Sequence, residues 1–350
     1  MKKVAFLFAV MLTFTVVAKA QNSNDIKILQ GFLSQNSERG GTNAATLGVN
    51  MNSPSSWVGV MWSNGRVSEI IWKDKHLAGE LDLSGLDAVT RVDVSRNKIT
   101  AVDITGCSAL QEINISHNII SKLDLNKLPS LTKLIANNNR IDDISLADVP
   151  MIKDMNFSRN LFVEMNVSNT STLETLSVSN CHLETLLVDN CTSLKNLYCS
   201  RNKLTALNLI GVENLQNLNV NNNKIITMII SKLPSLASIM CSDNNMKTLG
   251  FRDCNALMDV VCSYNNLTTF TIEDCPKVEF IDCSYNDLIE LSLTNQYLLQ
   301  RLICNNNQLK ILDVSYDTEL KYINCRYNFI TDLRTLGCTN LRQVSKEYNY

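Results

Sequence analysis

Apolar residues recur along this chain with a period of 21, without insertion, over residues 89–350. Steps of 21 from Ile113 meet an apolar side chain in every repeat to the C-terminus. Within one repeat, Ile113 and Ile115 are two residues apart, and so are Leu123 and Leu125. Apolar positions at this spacing lie on one face of a strand. The pattern predicts stacked coils, each with a front strand and an extended or short-strand back.

An asparagine column follows the front strand in the same frame, and Cys181 is its one exception. Its members are Asn97, Asn118, Asn139, Asn160, Asn202, Asn223, Asn244, Asn265, Asn286, Asn307, Asn328 and Asn349. After the strand the chain turns inward, which buries backbone N–H and C=O groups that have no sheet partner. An inward asparagine side chain offers these groups two donors and an acceptor. We therefore predict a structural ladder of asparagines.

The repeat unit, L-x-x-L-x-L/C-x-x-N-x-L-x-x-L-x-L, resembles the leucine-rich repeat. Its 21-residue length and its consensus sequence are similar to those of the IRREKO class of bacterial leucine-rich repeats. The resemblance covers residues 66–350, and twelve units agree in frame. It implies a mainly β solenoid of about 13 coils with a parallel β-sheet on one face.

Residues 21–65 precede the repeats and predict an N-terminal cap, because a solenoid otherwise exposes its core at its ends. We expect a short helix over about 24–36, with Asn24 as its N-cap. Its apolar face would consist of Ile26, Leu29 and Leu33. A connection rich in Ser, Asn and Gly is expected to follow, up to about residue 56.

The cap should end in the segment Trp57–Val67, which is similar to the W-x-G-V-x-C…G-R-V opening of plant-type leucine-rich repeat domains. Trp62 stands at the position of that family's capping cysteine, so the family's N-terminal disulfide is not implied here. The cap is instead expected to be hydrophobic, built on Trp57, Trp62 and Trp72. The spacing from Ile70 to Val92 is 22, which predicts a first coil that is one residue longer.

The first 20 residues have the three parts of a secretory signal peptide: Lys2-Lys3, an apolar run, and Ala18-Lys19-Ala20. We expect a bacterial protein that is extracellular, held at the cell surface or periplasmic. No later run of about 20 apolar residues predicts a membrane span. Three of the 32 basic residues fall in this leader, so the remaining chain, with 34 acidic residues, is acidic. This balance argues against nucleic acid as a partner.

Twelve cysteines in an exported chain would ordinarily suggest six disulfides. Here all of them except Cys181 fall in two inward columns that hold small hydrophobes in other coils. One column contains Cys199, Cys241, Cys262, Cys283, Cys304 and Cys325, and the other Cys107, Cys191, Cys254, Cys275 and Cys338. We expect buried free thiols that pack as hydrophobes, with occasional disulfides between coils as the alternative. A metal role is disfavoured, because no C-x-x-C spacing occurs.

Sequence signatures of catalysis are missing. The three histidines, His76, His117 and His182, fall in separate coils, and no G-x-S-x-G, H-E-x-x-H or P-loop occurs. We therefore predict that the protein is not an enzyme and has no cofactor or metal.

Outward positions of the front strands form the candidate surface, and in the C-terminal half they are apolar and aromatic. They are Tyr198, Met240, Val261, Tyr264, Phe280, Tyr285, Ile303, Tyr322 and Tyr327. Exposed aromatic clusters are typical of binding hot spots, although tyrosine also covers strands because of its β-propensity. The first hypothesis is a protein-binding module, an adhesin or scaffold. A glycan or cell-wall binder is the alternative, and a structural envelope component is the third hypothesis.

Overall fold

The computed structural model describes residues 20–293 and 296–349. This part of the chain is a mainly β leucine-rich repeat solenoid of about 13 coils, as the 21-residue period predicts. The predicted signal peptide, residues 1–20, lies outside the described residues except for Ala20. No helix in the described ranges is long and apolar enough to cross a membrane.

A 15-stranded front sheet runs along the solenoid. Its strands, in spatial order, are Val60–Ser63, Arg66–Ile71, Arg91–Asp93, Glu112–Asn114, Lys133–Ile135, Asp154–Asn156, Thr175–Ser177, Asn196–Tyr198, Asn217–Asn219, Ser238–Met240, Asp259–Val261, Phe280–Asp282, Arg301–Ile303, Tyr322–Asn324 and Gln343–Ser345. The first pair is antiparallel and the others are parallel. Ile113 pairs with Leu134, in the predicted step of 21, while Ile70 pairs with Val92, which confirms the longer first coil.

The back of the solenoid carries short parallel strands in separate groups, which confirms the predicted short-strand back. The groups are Ala78–Asp82 with Lys98–Asp103, Glu164–Asn166 with Thr185–Leu187, Thr227–Ser231 with Thr248–Arg252 and Thr269–Glu273, and Ile311–Asp313 with Asp332–Arg334. Between Thr269–Glu273 and Ile311–Asp313, the coil that contains Ile289 has no back strand among its described residues. Among the described residues, the row of back strands is therefore interrupted at this coil.

The first helix differs from the prediction at both ends. It spans Ser23–Leu33, and its N-cap is Asn22 rather than Asn24. The Asn22 side chain accepts hydrogen bonds from the N–H groups of Asn24 (2.9 Å) and Asp25 (3.1 Å). Since Asn24 is already inside the first turn, its own side chain cannot cap that turn. The predicted face is also corrected, because Leu29, Phe32 and Leu33 are buried while Ile26 is only half-buried.

The connection after this helix is more regular than predicted. It contains a second helix, Asn43–Leu47, and a 3₁₀-helix, Pro54–Ser56. The Thr42 side chain caps the second helix, and Gly48 ends it in a left-handed conformation, with φ of 66°. The composition alone could not predict these two helices, because Ser, Asn and Gly are common both in helix caps and in loops.

The cap packs its tryptophans against the first coil. Trp57 and Trp72 are buried, and Trp62 is half-buried. Phe32 of the first helix stacks on Trp72 with ring centroids 5.7 Å apart, and Trp57 lies 6.5 Å from Trp62. Stacked aromatic rings of this kind cover the first coil with a large apolar area.

Thiols form part of the solenoid core. All twelve cysteines are free, and each is buried except Cys338, which is half-buried. Burial raises the pKa of Cys199 and Cys241 to about 12, because a thiolate would lose its hydration there. These side chains therefore remain neutral and pack as small hydrophobes.

Candidate binding surface on the front sheet

The ladder asparagines tie each coil to its neighbour. Asn118 Nδ2 donates to the carbonyl oxygens of Val94 (3.1 Å) and Ile115 (3.0 Å). Its Oδ1 accepts from the N–H of Ile99 at 3.0 Å. The same contacts recur in later coils, as in Asn265. The buried amide thus bonds its own turn and the preceding coil.

Cys181 fills this column with a poorer set of bonds. Its Sγ donates to Phe157 O at 3.2 Å, so the donor function is retained. From Asn118 onward, each ladder asparagine accepts a hydrogen bond from the N–H group 19 residues before it, which for Cys181 is the N–H of Phe162. No hydrogen bond from the Phe162 N–H to Cys181 is found in the described residues. A thiol is a weak acceptor, which explains the loss.

The residue before each ladder asparagine turns the chain and presents its side chain at one edge of the front face. We name this column the edge column. Its members are Arg96, His117, Asn138, Arg159, Asn180, Arg201, Asn222, Asp243, Tyr264, Tyr285, Asn306, Tyr327 and Tyr348, all with φ between 53° and 63°. Asparagine and aspartate tolerate this left-handed conformation, whereas other residues with a Cβ cost roughly 1–2 kcal/mol there.

The tyrosines of the edge column form two stacks. The rings of Tyr264 and Tyr285 lie 4.3 Å apart at an interplanar angle of 9°. The rings of Tyr327 and Tyr348 lie 4.6 Å apart at 5°. Tyr264 is 53% exposed and Tyr327 is 50% exposed. One face of each ring is therefore covered by its neighbour, while edges, hydroxyls and outer faces meet solvent.

A second stack lies at the start of the front strands. The guanidinium carbon of Arg301 is 5.3 Å from the ring centroid of Phe280 and 5.2 Å from that of Tyr322. The three residues are spaced by 21, so the cation lies between two aromatic rings from adjacent coils. Cation–π contacts hold a long side chain in place and leave its N–H groups available to a partner.

Other predicted site residues are less concentrated. Tyr198 and Met240 are exposed on the front face, whereas Val261 and Ile303 are half-buried. Tyr198 lies three coils from the Tyr264 stack by the 21-residue frame. The structure therefore brings Tyr264 together with Tyr285, and Phe280 with Tyr322, but leaves Tyr198 apart.

Two members of these stacks, Arg301 and Tyr348, are not among the residues singled out from sequence. Both lie in register with residues that are: Arg301 is midway between Phe280 and Tyr322, and Tyr348 is 21 residues after Tyr327. If every residue at an outward position had been considered, polar as well as apolar, the sequence would have identified both.

The N-terminal half of the edge column is cationic. The pKa of His117 is lowered by partial burial first and then by the charges of Arg96, one coil away, and Arg159, two coils away. Neither arginine forms an ion pair within the described residues. The edge thus changes from basic to aromatic along the solenoid.

In the described ranges, no group of three or more His, Cys, Asp or Glu side chains is placed to hold a metal ion. The front face presents rings, amides and single charges, which suit non-covalent binding.

No family model matches the sequence, and no curated protein matches it. Several solved structures are similar to this one. YopM, a leucine-rich effector protein from Yersinia pestis, is 19% identical with a TM-score of 0.59, covering 93% of this chain and 98% of that one. A leucine-rich repeat protein of Leptospira interrogans is 18% identical with a TM-score of 0.54, covering 76% and 83%.

A chain of the LRIM1/APL1C complex is 17% identical with a TM-score of 0.56, covering 75% of this chain and 52% of that one. At these identities, the similarities show the fold. The leucine-rich repeat solenoid is thereby established for residues that the structure describes.

Proposed function

We propose that this protein is an exported, non-catalytic module that binds a protein partner through the aromatic surface of its front sheet. The aromatic surface consists of Tyr264, Phe280, Tyr285, Arg301, Tyr322, Tyr327 and Tyr348. Export rests on the signal-peptide pattern of residues 1–20. The assignment of the repeats to the IRREKO type rests on the 21-residue unit and belongs to the same proposal.

The observation that carries the proposal is the set of tyrosines in the edge column. Asn138, Asn180, Asn222 and Asn306 show that asparagine fits this turn. At Tyr264 and Tyr285, tyrosine replaces it although a bulky residue at positive φ costs stability. Strained positions that hold large exposed side chains are expected where those side chains bind.

The mutual stacking of the rings favours a protein partner over a glycan. A sugar binds an aromatic platform through the open face of a ring. Tyr264 and Tyr285 cover one face of each other, and Phe280 and Tyr322 each give one face to Arg301. What remains is the outer face at each end of a stack together with a row of edges, hydroxyls and a guanidinium, and tyrosine and arginine are the side chains enriched in protein interface hot spots.

The test replaces Tyr264 and Tyr285 together by asparagine. We expect binding to a purified partner, identified on an array of secreted and cell-surface proteins, to fall at least tenfold. The melting temperature should stay the same or rise, because asparagine suits the left-handed turn. The control variant Ile210→Ser with Ile229→Thr removes two exposed apolar side chains from the back and should bind normally.

Unchanged binding by the tyrosine variant would contradict the proposal. A blank protein array combined with specific signals on a glycan array would replace it by the glycan alternative. Self-association in sedimentation, with both arrays blank, would favour the structural envelope component.

A further inference from the structure

A buried column on the back of the solenoid changes character in two adjacent coils. The column that holds Cys254, Cys275 and Cys338 contains Gln296 and Asp317 in the two coils between them. Asp317 is only 5% exposed. Its Oδ2 is buried and has no hydrogen-bond partner among the described residues. A carboxyl group at a position that cysteine or an aliphatic residue fills in most other coils needs a reason.

A cavity of about 980 Å³ opens beside Asp317. It lies where the back sheet is interrupted, between the strands Thr269–Glu273 and Ile311–Asp313. Ile289, Glu290 and Leu291, from the coil between those two strands, also line it. Asp317 therefore lies in the wall of a recess that is large enough for a small ligand.

The charges around the cavity favour a cation. Glu290, Asp313 and Asp317 line it, and Lys310 is the one basic residue among the described lining residues. Asp313 is paired with Arg334 at 3.4 Å, whereas Glu290 and Asp317 form no ion pair within the described residues. The remaining wall combines apolar side chains, among them Phe270, Ile289 and Ile311, with hydroxyl-bearing side chains of Thr, Ser and Tyr.

We propose that this cavity binds an organic cation, an ammonium or guanidinium group on an apolar stem, with the Asp317 carboxylate as its counter-ion. A metal ion fits less well, since no cluster of three acidic, His or Cys ligands exists in the described ranges. The cation is carried either by a free amine or by a Lys or Arg side chain of another protein. Both sources present the same head group to Asp317.

The titration of Asp317 supports this assignment. Burial, and then the charge of Asp313, raise the pKa of the Asp317 carboxyl to about 7. The other charged groups at the cavity are Glu290 and Lys310. A bound cation would stabilise the ionised form, so amine affinity should increase as the pH rises from 6 to 8.

The test titrates the full chain by calorimetry with phenethylamine and agmatine. Neutral 2-phenylethanol and anionic phenylacetate serve as matched controls. We expect only the amines to bind, and Asp317→Asn to weaken them at least tenfold. Asp142→Asn, which removes an exposed carboxylate from a distant coil, should change nothing.

Blocked Gly-Lys-Gly and Gly-Arg-Gly peptides distinguish the two sources. Tighter binding of the peptides indicates a protein side chain, and tighter binding of the free amines indicates a small molecule. Equal binding of amine and alcohol, wild-type affinity in Asp317→Asn, or no amine binding at all would each overturn the proposal.

A stability measurement keeps the test informative if Asp317→Asn folds poorly. Asp317→Cys restores the residue type of the column. Because the folded pKa lies above the unfolded value, the aspartate destabilises the fold increasingly as the pH rises from about 4 to 7. The cysteine variant should therefore melt higher than wild type at pH 8, with a smaller difference at pH 5, and should not bind amines. Equal melting temperatures at both pH values would count against a buried functional carboxyl.

Discussion

At the residue scale, one amide side chain closes each coil. Asn223 Nδ2 donates to Cys199 O and Val220 O at 3.1 and 2.9 Å, and its Oδ1 accepts from Leu204 N at 3.0 Å. These backbone groups are buried, so no water replaces the asparagine if it is removed. The asparagine ladder therefore satisfies the buried backbone groups that the apolar core leaves without partners.

We predict that Asn223→Ala lowers the free energy of unfolding by roughly 1–3 kcal/mol, because three buried backbone groups lose their partner. Asn208→Ala is the matched control, since Asn208 is exposed on the back of the preceding coil. It should change stability by less than about 0.5 kcal/mol. Urea unfolding measures both, and equal effects would refute a structural role for the ladder.

At the element scale, the N-terminal cap depends on an ion pair between a helix and the first long strand. The carboxylate of Asp25 is buried and accepts from Arg66 Nε (2.9 Å), Arg66 Nη2 (3.0 Å) and Val67 N (2.9 Å). Hydrogen bonding to Asp25 is the largest cause of the raised pKa of Arg66. Arg66 also contacts the exposed Asp87. The first helix is thereby fixed on the solenoid's end.

Asp25→Asn should destabilise the protein by about 2–3 kcal/mol. This is below the cost of breaking a fully buried pair, because the Arg66 side chain remains 30% exposed. Asp87→Asn removes the other carboxylate of the same arginine and should cost under about 1 kcal/mol, since Asp87 is 57% exposed. Thermal unfolding of the two variants separates the cases, and a larger loss in Asp87→Asn would refute this ranking.

At the scale of the whole molecule, contacts run between neighbouring coils that are 21 residues apart, as the parallel pairing shows. Such a solenoid behaves as a one-dimensional stack. Its front strands alternate inward and outward residues, so the register of one coil fixes which face the next coil buries. After the longer first coil, we therefore expect length to be adjustable only in whole repeats.

Deleting residues 191–211 removes one full period, so Val212 takes the place of Cys191 in the buried column. We expect a folded, cooperatively melting protein with an unchanged aromatic surface. Deleting 191–210 instead shifts every following column by one residue and should abolish cooperative melting. Circular dichroism during heating distinguishes the two, and equal behaviour would contradict the stacked-coil account.

Much of the fold could be predicted from the sequence because the repeat is local and regular. Alternation along a strand assigns each residue to the inward or outward face, and the 21-residue repeat carries that assignment from coil to coil. Ile113 and the cysteine columns were placed in the core in this way. The cap has no such repetition. Whether Asn22 or Asn24 caps the helix depends on how the helix docks, which places Asp25 against Arg66.

The sequence by itself determined the coil, its buried columns and the exposure of Tyr264 and Tyr285. Only the tertiary structure decided that these rings stack at 4.3 Å, that Arg301 lies between two rings, and that Asp317 faces a cavity. The physical reason is that a residue's face follows from alternation along one chain. Ring stacking and cavities depend instead on how side chains from adjacent coils fit together once the coils are stacked.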